Sequence, residues 1–239
     1  MIHYFCPERL NLMSNHFLLF LAIFIFGSCS TNSSKSDEKN TVNQQPQNEE
    51  QSPINNKVEE FKDRDVWQHP EYIINLLGDS ANKTIADLGA GSGYFSFKLL
   101  SNAKKVIAID IDQRFIKYMN QKISDYPAEL RSKFEARLAT PEDSKLTNDE
   151  VQAILIVNTY IYIKDRPKYF TQLKKCLTDR GKLVIVDFKN MDLPVGPPNS
   201  IKLSGNQVAQ ELKEAGYTNV TLDNNTLEYQ YIILAENIK

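Results

Sequence analysis

Cysteine is scarce in this chain of 239 residues: Cys6, Cys29 and Cys176 show neither the spacing of a metal knuckle nor that of a disulfide framework. Histidine is as rare, and His69 is the only one beyond residue 30. A lone imidazole builds neither a metal centre nor a nucleophile–histidine triad, so both are set aside. Neither sign of charge dominates. Against 30 Asp and Glu stand 28 Lys and Arg, a net charge of −2, which leaves no basic footprint for nucleic acid. No internal repeat is evident. With 41% hydrophobic and 24% charged residues, what remains is an ordinary globular composition, enough for one domain and extra segments.

No apolar run reaches the roughly 20 residues that a membrane-spanning helix needs. Residues 17–26 (FLLFLAIFIF) are instead about the length of a signal-peptide apolar core. They run into Gly27-Ser28-Cys29, which resembles the cleavage motif of bacterial lipoproteins, where small residues precede a cysteine that is lipidated and becomes the mature N-terminus. Phe26 stands where that motif usually has Leu, and only His3, Arg9 and His16 precede or border the run as basic groups. The resemblance implies a signal peptide over 1–28 and a lipid on Cys29 anchoring the protein in a bacterial envelope; a different true N-terminus would leave a cytoplasmic protein. Residues 29–56, rich in Ser, Asn, Gln, Glu and Lys, cannot bury enough apolar surface to offset ordering entropy and are predicted to be a disordered polar tether. A folded domain is predicted over 57–239.

Within that domain the run Ala86-Asp87-Leu88-Gly89-Ala90-Gly91-Ser92-Gly93-Tyr94 is followed by Val106-Ile107-Ala108-Ile109-Asp110. An apolar strand, a glycine hairpin, a helix and a second apolar strand ending in an acid form one nucleoside-binding half of a doubly wound sheet. Glycine lets the backbone approach a ligand, and the acid meets a pair of ribose hydroxyls. A dinucleotide fingerprint, G-x-G-x-x-G, would place its third glycine where Tyr94 stands. Asp87, beside the hairpin, would repel a pyrophosphate and attract an ammonium. Both features disfavour a nicotinamide-dependent oxidoreductase and favour an amino-acid-bearing nucleoside.

This hairpin resembles the first motif of the class I S-adenosylmethionine-dependent methyltransferases, D-x-G-x-G-x-G. The resemblance implies S-adenosyl-L-methionine as cofactor, with Asp87 holding its methionine ammonium, Gly89 and Gly91 approaching it by backbone, and Asp110 taking the ribose. Tyr94 and Ile111 would lie against the ligand, Ile111 on the adenine. Asp112 is better explained as the N-cap of the next helix. Asn158-Thr159-Tyr160 would lie beside the transferable methyl group, with Asn158 on the cofactor and Tyr160 facing the acceptor; these are the candidate catalytic residues, and Tyr162 is nearby. Trp67 and Gln68, just before the domain's first strand, would fold over the cofactor as lid residues. The adenine contact after the third strand, among Thr140, Glu142 and Asp143, stays unassigned.

The remaining pattern alternates strand and helix. Strands are predicted at 84–88, 105–110, 134–138, 151–157 and 183–188, with a turn at 179–182. A helix is predicted over 166–177, and another capped by Ser204 and ended by Gly216. Runs 217–222 and 226–235 form a closing hairpin around Asp223-Asn224-Asn225. This is an α/β fold with a doubly wound, mostly parallel seven-stranded sheet and an antiparallel C-terminal hairpin. The proline-bearing loop 190–202 follows a strand end and could wall an acceptor pocket.

The implied function is methyl transfer to a small-molecule acceptor. The alternative is a membrane-tethered, non-catalytic module that binds a nucleoside or a protein. S-adenosylmethionine is made in the cytoplasm, so an exported member of this family would need a donor supply. A misread N-terminus, an envelope enzyme with its own supply, or a scaffold kept for binding are the three readings that follow.

Overall fold

The computed structural model describes residues 64–239. The predicted signal segment, Cys29, the predicted tether and the first residues of the predicted domain lie outside the described residues.

Order along the chain runs α1 (Arg64–Gln68), α2 (Pro70–Leu76), β1 (Thr84–Leu88), α3 (Tyr94–Leu99), β2 (Lys105–Asp110), α4 (Gln113–Lys122), α5 (Ala128–Ser132), β3 (Phe134–Leu138), β4 (Val151–Val157), α6 (Arg166–Cys176), β5 (Leu177–Phe188), α7 (Gly205–Glu214), β6 (Thr218–Asp223) and β7 (Gln230–Asn237). The seven strands form one sheet in the order β3-β2-β1-β4-β5-β7-β6. The first five are mutually parallel, and β7 runs antiparallel to both β5 and β6.

Both faces of the sheet are covered, which is why its central strands read as unbroken apolar runs. Along β4, Ile154 and Ile156 point to one side, into a core with Phe170 and Leu173 of α6 and Val208 and Leu212 of α7. Ala153 and Leu155 point to the other, against Ile73 and Ile74 of α2 and Phe95 and Leu99 of α3. The side-chain period of two in a strand thus feeds two separate cores. Two helix starts follow from local chemistry: Asp112 accepts from the Arg114 amide at 2.8 Å, and Ser204 Oγ from the Gln207 amide at 3.2 Å.

The sheet departs from the sequence reading in two places. The predicted turn at 179–182 is instead a bulge inside a twelve-residue β5. Leu177 pairs with Val151 and Lys182 with Ala153, so the intervening residues loop out, with Arg180 at φ +57°. At the other end, β7 begins at Gln230 rather than Thr226. Asp223 accepts from the amides of Asn225 and Thr226, and Lys189 Nζ donates to the carbonyls of Leu227 and Glu228, so the turn's backbone is satisfied by side chains and leaves the ladder. Among the described residues no helix is long and apolar enough to cross a membrane.

Candidate functional site

The sheet order reverses direction between β1 and β4, and in open α/β sheets the crevice outside the carboxyl ends at such a point is where ligands bind. A cleft of about 720 Å³ lies there, within the usual range for small-molecule sites. Its first half is built by the hairpin after β1 and the end of β2. Gly89 and Ala90 donate to the carbonyl of Ile109 at 2.8 and 2.9 Å, laying the hairpin against β2. Gly91 then donates to Asp110 Oδ2 at 2.8 Å, and the amide of Asp112 to Oδ1 at 2.9 Å. Asp110 therefore both shapes the hairpin and lines the cleft, each oxygen keeping a second lone pair for a ligand hydroxyl.

The two hairpin glycines that line the cleft are glycine for different reasons. Gly91 sits at φ +55°, and a Cβ there would project into open space: the backbone presents an uncovered surface to whatever binds. Gly89, at φ +79°, has no such opening, because a Cβ would collide with the Thr159 side chain 2.2 Å away. It lines the cleft, and its missing side chain makes room for the β4 exit.

Asp87 borders the cleft with only 3% of its surface exposed. Burial pushes its carboxyl up to about 6, against the hydrogen bond donated by Ser96 Oγ at 2.6 Å and the nearby charge of Arg64. Arg64 also lines the cleft; burial lowers its guanidinium to about 10, and it lies 4.3 Å from the centre of the Tyr94 ring. Tyr94 lines the same wall and donates its hydroxyl to Asp65. Ile111, 59% exposed, and Ala139, Thr140 and Pro141 close the outer side, whereas Glu142 faces elsewhere.

The second half of the cleft lies beyond β4 and β5. Asn158, at φ +55°, lines it, as do Tyr162, Phe188, Pro197, Pro198 and Ile201. The loop 190–202 does form a wall: Gly196 packs so closely on Phe188 that a Cβ would meet the ring at 2.7 Å. At the loop's base Lys202 Nζ donates to the carbonyl of Met191 at 2.8 Å. In this apolar half one acid is buried. Asp187 has Oδ1 accepting from the Phe188 amide at 2.8 Å, while Oδ2 accepts no hydrogen bond of good geometry. Burial pushes this carboxyl up to about 6, although the amides of Phe188, Ile161 and Tyr160 favour its charge.

Three site residues predicted from the sequence are placed otherwise. Tyr160 is fully buried, its ring tilted against that of Phe170 with centroids 4.8 Å apart, and its hydroxyl donates to Glu211 at 2.7 Å. It does not line the cleft; Tyr162, 62% exposed, takes that place. Trp67 packs on Phe188 and Tyr229, with ring centroids 5.9 and 6.0 Å apart, so it supports the wall from behind. Gln68 is fully buried and donates to Gln230 Oε1 at 2.8 Å. The residue of that segment which does line the cleft is Arg64. Arg64, Asp187 and Gln230 carry no motif; only the position of Asp187 at a strand's carboxyl end could have marked it.

Comparison with known proteins agrees with this geometry. The chain covers 98% of a SAM dependent methyltransferase from Aquifex aeolicus with 77% of its own length, at 21% identity and a TM-score of 0.67. A S-adenosylmethionine dependent methyltransferase from Mesorhizobium loti matches at 12% identity and TM-score 0.58, over 71% of this chain and 96% of that one. Haemonchus contortus phosphoethanolamine N-methyltransferase 2, solved with phosphomonomethylethanolamine and S-adenosylhomocysteine, matches at 11% identity and TM-score 0.61, over 72% of this chain and 53% of that one. No curated protein matches the sequence. Residues 79–232, from the approach to β1 into β7, match the methyltransferase-domain family, and the chain belongs to it.

Proposed function

We propose that the domain transfers a methyl group from S-adenosylmethionine to a small-molecule acceptor. The observation that carries this reading is the convergence of Asp87, Gly91 and Asp110 on one cleft that opens into an apolar chamber. When bound, the sulfonium supplies an activated methyl group, so the protein's task is alignment and dehydration. Asp110 accepts from ribose hydroxyls with its remaining lone pairs. Gly91 lets the backbone approach, and Ile111 offers an apolar face for the base. Asp87 accepts from an ammonium, which would meet there a carboxylate already compensated in part by Arg64. Tyr162, Phe188, Pro197 and Pro198 exclude water around the acceptor.

The solved relative that holds a small phosphorylated amine supports a small-molecule acceptor. The non-catalytic alternative has no observation in its favour. Calorimetric titration with S-adenosylmethionine and S-adenosylhomocysteine tests the reading. Asp110→Ala should weaken both at least tenfold, about 1.4 kcal/mol; unchanged affinity removes Asp110 from the site, and absence of binding by the folded parent removes the reading.

Anchoring through a lipid on Cys29 is proposed from the sequence alone. Cys29→Ser should move the expressed protein from the detergent phase to the aqueous phase, and equal partitioning of the two forms rules the anchor out.

A further inference from the structure

Behind the cleft runs a chain of side-chain hydrogen bonds that links two of its lining residues through the protein interior. Arg64 Nε donates to Gln68 Oε1; Gln68 Nε2 donates to Gln230 Oε1 at 2.8 Å; Gln230 Nε2 donates to Asn158 Oδ1. Gln68 and Gln230 are both fully buried, while Arg64 and Asn158 line the cleft. An amide side chain can usually be turned either way, and its oxygen and nitrogen exchange roles. Here the direction is forced from one end. A guanidinium only donates, so Gln68 must accept with its oxygen and pass a donor onward, and Gln230 must do the same. Asn158 receives the last of these donors on Oδ1. Its backbone is held too, since its amide donates to the carbonyl of Val186 at 2.9 Å. What is left is Nδ2, which makes no hydrogen bond among the described residues.

We infer that Gln68 and Gln230 are positioning residues of the binding cleft: they carry the donor-only character of Arg64 to Asn158 and fix its Nδ2–H groups toward the carboxylate of a bound amino-acid-bearing nucleoside. This rests on the proposed function and goes one step beyond it. With the ribose at Asp110 on β2, the rest of the ligand crosses β1 toward β4, to Asp87 and Asn158. Asp87 is an acceptor and suits the ammonium. The neighbouring carboxylate needs donors, and among the described residues the cleft wall holds no lysine or histidine. The Asn158 amide, at the cleft end of the chain, is such a donor. Without the chain, Asn158 would present its oxygen as readily as its nitrogen, and the oxygen repels a carboxylate.

The test compares two probes, S-adenosylhomocysteine and 5′-methylthioadenosine, which share the adenosine and differ in the amino-acid portion. Gln230→Glu keeps the shape and, ionised in an assay at alkaline pH, only accepts, so both Gln68 and Asn158 must donate to it and Asn158 must turn its oxygen to the cleft. Calorimetry should show S-adenosylhomocysteine weakened at least tenfold and 5′-methylthioadenosine changed less than twofold. Equal losses for both probes, or none for either, overturn the inference and leave Gln230 a packing residue. A parent protein that binds neither probe overturns the proposed function itself, a different result.

A second measurement needs no substitution. In the ¹⁵N-labelled parent, the side-chain NH₂ groups of Gln68 and Gln230 should exchange slowly, and that of Asn158 quickly. S-adenosylhomocysteine, but not 5′-methylthioadenosine, should then slow the Asn158 group. Fast exchange at Gln230, or slow exchange at Asn158 before ligand is added, shows that the chain does not run in this direction.

Discussion

A carboxyl group buried without full hydrogen bonding prefers to be neutral, and Asp187 carries that preference at the carboxyl end of β5. Its folded-state value of about 6 lies above the ordinary 3.8. The fold's preference for the neutral acid is therefore fully present below about 4 and is lost as pH rises through 6. Asp187→Asn removes that dependence while keeping an oxygen for the Phe188 amide. Urea unfolding should find the variant more stable than the parent by on the order of 2 kcal/mol at pH 7.5, with a smaller difference at pH 4.5. A variant that is less stable at pH 7.5 would show that the charged form is the one the fold holds. Tyr160 makes a contrasting case. Tyr160→Phe deletes a hydrogen bond to Glu211, which Arg166 also holds at 2.7 Å, and should cost about 1 kcal/mol of stability. Because the ring points away from the cleft, affinity for S-adenosylhomocysteine should stay within twofold in the same calorimetric assay.

At the scale of elements, the hairpin after β1 was legible in the sequence because its determinants are local. A glycine at positive φ and an acid at the end of the next strand are chemical demands written within a short stretch. The same holds for the cap of α4 at Asp112 and that of α7 at Ser204; Ser204→Ala should cost about 1 kcal/mol in thermal or urea unfolding without altering ligand affinity. What could not be read depends on which way a short turn rotates or on partners far along the chain. Tyr160 and Tyr162 are two residues apart on one 3₁₀ turn, Tyr160–Tyr162, and only the packing of Phe170 and Glu211 decides which of them enters the core. Gln68 meets Gln230 across 162 residues of sequence, and no local pattern announces such a meeting. The bulge in β5 was hidden for a similar reason: Asp179-Arg180-Gly181 reads as a turn between elements, and becomes a bulge only because Leu177 finds Val151 on β4.

Across the whole molecule, the cleft draws on nearly every layer of the domain: α1, the exits of β1, β2, β4 and β5, and the loop 190–202. A ligand that bridges these parts binds the folded state and not the unfolded chain. At a hundredfold excess over its dissociation constant, S-adenosylhomocysteine should stabilise the domain by about 2.7 kcal/mol. Differential scanning calorimetry should show this as a concentration-dependent rise in Tm. A Tm that does not move, in a protein shown to bind, would mean that the ligand meets the unfolded chain as well.

The clasp at the base of loop 190–202, from Lys202 to Met191, separates inheritance of the cleft's strand-end half from inheritance of its loop wall. The strand-end half is written into elements that also hold the core, where change is expensive. The loop wall hangs on a closed segment whose interior residues, from 193 to 198, carry no strand ladder. Under the proposed function, a lineage can therefore rewrite that loop and reshape one half of the cleft while the fold and the other half descend unchanged, and descendants of one ancestor can diverge in ligand faster than in stability.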